Sequence, residues 1–575
     1  MSGDIRLVEP ELHVDGYSPV KYATLSHCWG SKEASSTLAK TLSTNIDQHL
    51  TAISRHQLPQ VFQDAIDVAR ALGCDYIWID SLCIIQDSLE DWKNQSILMS
   101  DVYSNAYLNI ASSALPDSSG SLFQDRVCYF GDKYHEELNE RNRLPIDTYT
   151  QWVLDDKDVQ CPVTVRYSMD RAHRHLCGEA MSTHGVEAPL LDRGWVFQER
   201  MLSRRTVYIS SSELLWECRS GYNCECGEIN NPVESGPGSF EWEIGAHGPM
   251  EVDDSHYSSP KSKKVEFADV CLSKASSKEA LGFWRTMMKE YSTLVFTRES
   301  DRDIALSGIR ESFRMGRDLT YYAGIWIEDL PKALLWSTFG RPVSSVKFEK
   351  GMNAPSWSWF WRKATYPPAS TWPSPQQMIV VATTSWNYND LATFKKDDRV
   401  SFYIPDDAYK TYHDQPLIPP TIGPFPLHLT APFLRGSFEI ENTNIVATSF
   451  SDHGPLNERI KAYGEGLNIK IDLDFGGRFI SGSRKGYCVL LGHTEKVRRR
   501  WDDRAIDTQE CMLWLEEIPS PDDERRYVRK GLVEFENWFA PKDGRKLSAE
   551  EELNWPRFRR TNLFDDAPVQ EFIII

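Results

Sequence analysis

Four apolar residues in an unbroken row, Tyr76-Ile77-Trp78-Ile79, most constrain what this chain can become. So short a run suits a strand, and its lack of alternation predicts one covered on both faces. Ahead of it comes Leu58-Pro59, then Val61, Phe62, Ala65, Ile66, Ala69 and Leu72 at the 3–4 spacing of one buried helical face. Pro59 suits the first turn of that helix and Gly73 the position just past its end. Tyr22 to Ser26 and Tyr107 to Ala111 read as two further strands. Between the last two strands Asp91 is placed to cap a second helix, with Trp92, Ile97, Met99, Val102 and Tyr103 apolar along it. The order β-α-β-α-β predicts right-handed crossovers and an α/β domain, with an open, mostly parallel sheet and flanking helices.

Residues 116–190 lose this pattern and read as a variable insertion in a first domain that spans 1–226. Within it, Asp192 to Arg200 reads as a helix, and Thr206 to Ser210 and Leu214 to Cys218 as strands. Residues 227–265 are rich in Gly, Pro, Ser and acids, as in a linker or surface excursion. A helical and Trp-rich segment follows at 266–362, then a β-rich C-terminal region at 363–575. Alternating runs mark that region at Tyr487 to Leu491, Cys511 to Glu516 and Gly531 to Phe535. The cluster Trp357-Ser358-Trp359-Phe360-Trp361 could line an aromatic pocket, but it reads more readily as a packing seam between the two halves of the chain.

The formal net charge of −19 argues against a duplex nucleic-acid binder, which needs a basic face. No stretch of about 18 apolar residues occurs, so no membrane-spanning helix is expected. The first residues carry no apolar signal segment, so the 12 cysteines read as reduced thiols and the expected location is cytoplasmic.

Four blocks of the chain together resemble the fungal heterokaryon incompatibility (HET) domain family. The first is Tyr22-Ala23-Thr24-Leu25-Ser26-His27-Cys28-Trp29-Gly30, with His27 standing where the family pattern carries Tyr. The second runs from Leu58-Pro59 through Tyr76-Ile77-Trp78-Ile79-Asp80-Ser81-Leu82-Cys83 to Tyr103-Ser104-Asn105-Ala106. The third is Arg193-Gly194-Trp195-Val196-Phe197-Gln198-Glu199-Arg200, and the fourth includes Ala323-Gly324-Ile325-Trp326 and Ala354-Pro355-Ser356-Trp357. The resemblance implies an effector of non-self recognition and cell death that works with a protein partner or a second copy of itself. It also implies a sheet similar to that of Toll/interleukin-1 receptor (TIR) domains, some of which cleave NAD. Three functions stay open on this basis. They are incompatibility effector, enzyme (with NAD as substrate or with a secondary metabolite), and non-catalytic scaffold.

The residues themselves narrow the site. Asp80 ends the second predicted strand, and open α/β sheets bind ligands outside the carboxyl ends of their strands. It could orient a ribose hydroxyl or act as a base; alternatively it caps the next turn or pairs with an arginine. Ser26, Trp29 and Gly30 leave the first strand on that same rim, and Cys83 lies near it. Gly30 permits a turn with positive φ, and Trp29 could stack on a flat ligand or pack on the sheet edge. His27 and Cys28 are adjacent on extended backbone and point to opposite faces, which speaks against a dyad; the cysteines read as buried and inert. For cleavage of the glycosidic kind, Glu199 is the first candidate to stabilise an oxocarbenium-like charge and Asp80 the second. Arg193 and Arg200 could hold a pyrophosphate, or form internal ion pairs with those acids. Neither Cys218, Cys224 and Cys226 nor His173, His175 and Cys177 show paired zinc-ligand spacing, so no metal is expected.

Overall fold

In the computed structural model the Tyr76–Ile79 strand forms, but at the margin of its sheet. The structure describes residues 4–9, 20–129, 143–145, 148–154, 160–166, 188–225, 262–272, 275–292, 294–338, 355–359, 379–380, 394–414, 425–441, 444–450, 467–473, 482–499, 504–520, 524–537, 564 and 567–575. Two units emerge. The first comprises Met1–Ala275, Leu294–Thr297 and Ile304–Gly316, and the second Ser276–Thr293, Arg298–Asp303 and Arg317–Ile575.

The first unit is built on β1 (Tyr22–Ser26), α1 (Gln60–Ala71), β2 (Tyr76–Ile79), α2 (Leu89–Asn105), β3 (Leu108–Ser112), α3 (Gly194–Leu202), β4 (Arg205–Ile209), β5 (Leu214–Cys218), β6 (Gly221–Cys224) and α4 (Lys263–Leu272). Its sheet order is β6-β5-β4-β3-β1-β2. Strands β2, β1, β3 and β4 run parallel, whereas β5 and β6 fold back antiparallel, so the sheet is mixed. The connection from Ser210 to Glu213 is too short for a crossover and permits only a hairpin.

Three local expectations meet the structure differently. Residues Val61, Phe62, Ala65, Ile66 and Ala69 of α1 are buried, Pro59 directly precedes the helix and Gly73 has φ +67° just past it. Leu72 falls beyond the last turn and is 40% exposed. The β2 run is not covered on both faces: it is the edge strand, Tyr76 is 44% exposed and only Ile79 is buried. Helix α2 is capped by Ser88, whose Oγ accepts from Asp91 N at 3.2 Å, while the Asp91 carboxylate accepts from Ile85 N at 2.7 Å.

Within the insertion, two antiparallel hairpins are described, Val127–Tyr129 with Arg143–Pro145 and Thr148–Leu154 with Gln160–Arg166. Residues 167–187 and 226–261, which hold His173, His175, Cys177, Cys226 and most of the expected linker, lie outside the described residues. Helix α3 is held at its start: Gly194 N donates to Val295 O at 2.9 Å and Val295 N to Asp192 O at 2.7 Å.

The second unit contains α5 (Ser277–Tyr291) and a β-barrel. Its ring is β7 (Leu427–Glu441), β8 (Gly482–Arg499), β9 (Arg504–Ile518), β10 (Arg526–Asn537) and β11 (Val569–Ile574), with β11 pairing back onto β7 and β7 onto β8. The three runs singled out by alternation fall on β8, β9 and β10. Trp357 and Trp359, which read as a packing seam, are buried and bond to other residues of this unit. Trp357 Nε1 donates to Phe425 O at 3.0 Å, Trp359 Nε1 to Gly324 O at 3.1 Å, and Tyr322 stacks on the Trp357 ring. Phe360 and Trp361 lie outside the described residues.

Candidate functional site

The carboxyl ends of β1 and β2 bring together a group of polar side chains. Asp80 follows Ile79 directly and opens a single helical turn, Asp80–Cys83. Its carboxylate is 25% exposed and accepts from three donors: His27 Nε2 at 2.9 Å, Trp29 Nε1 at 2.9 Å and Ser81 N at 2.7 Å. Burial alone would raise the Asp80 pKa. The facing His27 ring, the Arg193 guanidinium and the Trp29 N–H outweigh it and hold the group below its ordinary value. With Asp80 ionised, the proton in its bond to His27 sits on Nε2. The other ring nitrogen, Nδ1, lies 2.7 Å from Ser118 Oγ, which donates to Cys28 O at 3.0 Å. The His27 ring packs edge-on against Phe62 of α1.

The second carboxylate lies deeper. Glu199, on α3, is 7% exposed and meets Ser26 Oγ and the Tyr103 hydroxyl. Ser26 Oγ is also 3.1 Å from Asn109 Oδ1, to which Thr24 Oγ1 donates at 2.9 Å. Burial pushes the Glu199 pKa up, and the charge of Asp80 adds to this against the hydrogen bonds and Arg193. Two acids on one rim are thus driven in opposite directions, Asp80 toward carboxylate and Glu199 toward carboxylic acid. Such splitting marks out acid and base roles at enzyme sites.

Of the residues expected here, Asp80, Glu199, Ser26, Trp29 and Arg193 assemble. The Trp29 indole is committed to Asp80 through its N–H, with Lys40 Nζ 5.1 Å from its ring centre. Arg193 Nη1 donates to His27 O, so it braces the β1 exit. Gly30 has φ +82°, and a Cβ there would meet Asp117 Cβ at 2.6 Å, so only glycine lets the next segment pass. Cys28 and Cys83 are poor nucleophiles, because burial pushes both thiols up to about 11. Arg200 does not join the cluster. Its guanidinium forks onto Glu217 of β5 at 2.9 and 3.0 Å, in a buried network with Lys264, Ser262 and Tyr208. Among the described residues no group of three His, Cys, Asp or Glu stands at metal-ligand spacing.

Sequence reasoning weighed His27 only as a partner of Cys28 and set it aside, and it gave no site role to Ser118, Tyr103 or Asn109. Asn109 did carry a signal, being an amide in the middle of an apolar strand. Tyr103 counted only as an apolar helix position, and nothing in the sequence marks Ser118.

Glu199 gives a pH prediction with a defined sign. A carboxyl raised by burial contributes stability below its unfolded value, near 4.3, and loses it as pH climbs through the higher folded value. Glu199→Gln is therefore expected to raise the melting temperature at pH 8 and to leave it nearly unchanged at pH 4. Melting curves of both proteins at the two pH values check this; a lower melting temperature for the variant at pH 8 overturns it.

Residues 22–199 match the family described as heterokaryon incompatibility protein (HET). This segment is a HET domain. Its first matched residue opens β1 and its last is Glu199, so both carboxylates of the rim fall within the HET domain. The chain is also 25% identical over 205 residues to "Heterokaryon incompatibility protein 6, OR allele" of Neurospora crassa, a match covering 33% of this chain and 28% of that relative. The chain thus matches little more than a quarter of the relative's length. No solved structure matches.

Proposed function

We propose that this chain acts in heterokaryon incompatibility, as a cytoplasmic effector whose working part is the Asp80–Glu199 rim of its HET domain. The observation that carries the reading is the family match over 22–199, which encloses both rim carboxylates. The printed name of the Neurospora relative agrees with it. The action is non-self recognition ending in cell death, and it needs a protein partner or a second copy. Induced expression in a filamentous fungus is expected to arrest hyphal growth, and Asp80→Asn to abolish the arrest at equal protein level. Normal growth at high expression, in fusions with strains of differing incompatibility type, sinks the reading.

The split pair of acids supports a second reading, cleavage of the nicotinamide–ribose bond of NAD. Asp80 is the carboxylate that its partners His27, Arg193 and Trp29 keep ionised against burial, so it suits a developing oxocarbenium charge better than Glu199, reversing the order expected from sequence. Water would then add to the ribose carbon as nicotinamide leaves. Purified protein is expected to release nicotinamide from NAD, and Asp80→Asn to slow release by about 10²–10³. Release unchanged in Asp80→Asn removes the residue from the chemistry.

A further inference from the structure

The opposite rim of the HET domain sheet carries four cations, with the exposed acids Asp75 and Asp101 among them and only partly offsetting them. Lys21 enters β1, Arg204 and Arg205 enter β4, and Arg219 turns from β5 into β6, all at the amino ends of the parallel strands. Each of the four donates to a backbone carbonyl: Lys21 to Leu72 O, Arg204 to Ser104 O at 3.1 Å, Arg205 to Tyr107 O at 3.3 Å and Arg219 to Leu202 O at 3.2 Å. Three of those carbonyls lie at the C-terminal ends of α1, α2 and α3, where the helix dipole favours cations. Among the described residues none of the four forms an ion pair. Lys21 and Arg205 both lie over the ring of Tyr107. Val20, Leu72, Tyr76 and Tyr107, each at least 40% exposed, form an apolar centre among these cations.

That composition, with exposed tyrosines and aliphatics fringed by arginines, is the make-up of a protein-binding surface. A nucleic acid would meet strong repulsion from a chain of net charge −19. A second copy carries the same net charge and repels at long range, so a contact between copies rests on the local charges and apolar side chains of the two rims. At the carboxyl rim Glu33, Asp87 and Glu90 are exposed and Asp117 half-exposed; Lys32, Lys40 and Lys93 lie among them and only partly offset the charge. That rim has exposed apolar anchors too, Leu89 at the start of α2 and Leu214 at the start of β5.

We propose that this chain self-assembles head to tail, the basic Tyr76–Tyr107–Arg205 rim of one copy seating on the acidic Leu89–Glu90 rim of the next. Such a contact joins two different surfaces, so it propagates to rings or filaments instead of stopping at a dimer. It also brings the cations of one copy toward Asp80 of its neighbour. The inference rests on charge and exposure and stands whether or not the rim is catalytic.

Sedimentation of the full chain over about 1–100 μM tests it. The wild type is expected to form species beyond the dimer at 50 mM salt and to lose them at 500 mM. Two double variants separate the surfaces: Tyr76→Glu with Arg205→Glu disables the basic rim, and Leu89→Lys with Glu90→Lys the acidic one. Each alone is expected to be monomeric, and an equal mixture to give a one-to-one dimer and nothing larger. A wild type that stays monomeric, variants that still assemble singly, or a mixture of folded variants that stays monomeric each overturns the proposal. Melting curves establish folding. If a double variant is unfolded, the single changes Arg205→Gln and Glu90→Gln replace it, each expected to weaken association at least tenfold, and undiminished association overturns the proposal equally.

Discussion

Glu217→Gln is expected to destabilise the HET-containing unit by about 3–5 kcal/mol. The glutamate is fully buried, and both its oxygens are engaged. Oε1 accepts from Arg200 Nη2 at 2.9 Å and Ser262 Oγ at 2.5 Å; Oε2 accepts from Arg200 Nε at 3.0 Å and Tyr208 OH at 2.7 Å, with Lys264 Nζ at 3.5 Å. Glutamine keeps the shape but removes the negative charge that lies against two buried cations, Arg200 and Lys264. The network already strains to hold them: burial, with the Arg200 charge adding, brings the Lys264 pKa down to about 8. Urea unfolding of the variant at pH 7 measures the loss, and a change under 1 kcal/mol contradicts the account. Lys264→Met is expected to cost less, since it leaves the Arg200–Glu217 fork intact. The pH dependence has the opposite sign to that of Glu199. Burial works to raise the Glu217 pKa, but Arg200 and Lys264 hold it far below its ordinary value. Its contribution is complete above about 4.3 and is lost as pH falls toward the lower folded value. Two glutamates 18 positions apart therefore answer the same Glu→Gln change in opposite directions.

Gly194→Ala is expected to be nearly as damaging, at about 3 kcal/mol. A Cβ there would lie 1.8 Å from Phe296 Cζ, and the ring is itself buried. Either the Phe296 ring or the start of α3 must move. Movement of α3 would carry Arg193 off His27 O and Glu199 off Ser26, so the fall in stability is expected to come with loss of Asp80–Glu199 function. Phe296→Ala alone costs about 3–4 kcal/mol through the cavity it leaves. The double variant is expected to cost clearly less than the two singles combined, because the new methyl enters that cavity. Full additivity would show that Gly194 and Phe296 do not share the space.

Local features of this fold were legible in the sequence and pairings across it were not. The spacing of Val61, Phe62, Ala65, Ile66 and Ala69 together with Gly73 gave α1 and its end. The Tyr76–Ile79 run announced a strand but not its place, because edge or centre depends on which strands pair, and β1 lies 54 positions earlier in the chain. The rim position of Asp80 followed from its place after a strand. Its partner His27 did not, for the two meet only once β1 and β2 pair in parallel. Glu199 and Arg200 are neighbours on α3, and roughly 100° of helical rotation sends one to Ser26 and the other to Glu217. Without knowing what packs on each side, nothing distinguishes them.

The closure of the barrel in the second unit has a consequence in time. Strand β7 is flanked by β8 and by β11, and β11 is the last of the ring to be made. The ribosome produces it about 140 residues after the start of β7, or on the order of ten seconds later at usual rates of synthesis. Until then Leu427–Pro432 of β7 lacks its β11 partner, and so do Arg526 and Tyr527 of β10 once they are made, although Asn444–Phe450 pairs with the rest of β7 and Leu467–Leu473 with the rest of β10. The sheet of the HET domain needs nothing made after Cys224 to complete its pairing. The two units therefore mature on different clocks, and a folded, rim-bearing HET domain exists on the ribosome before the barrel that shares its chain can close.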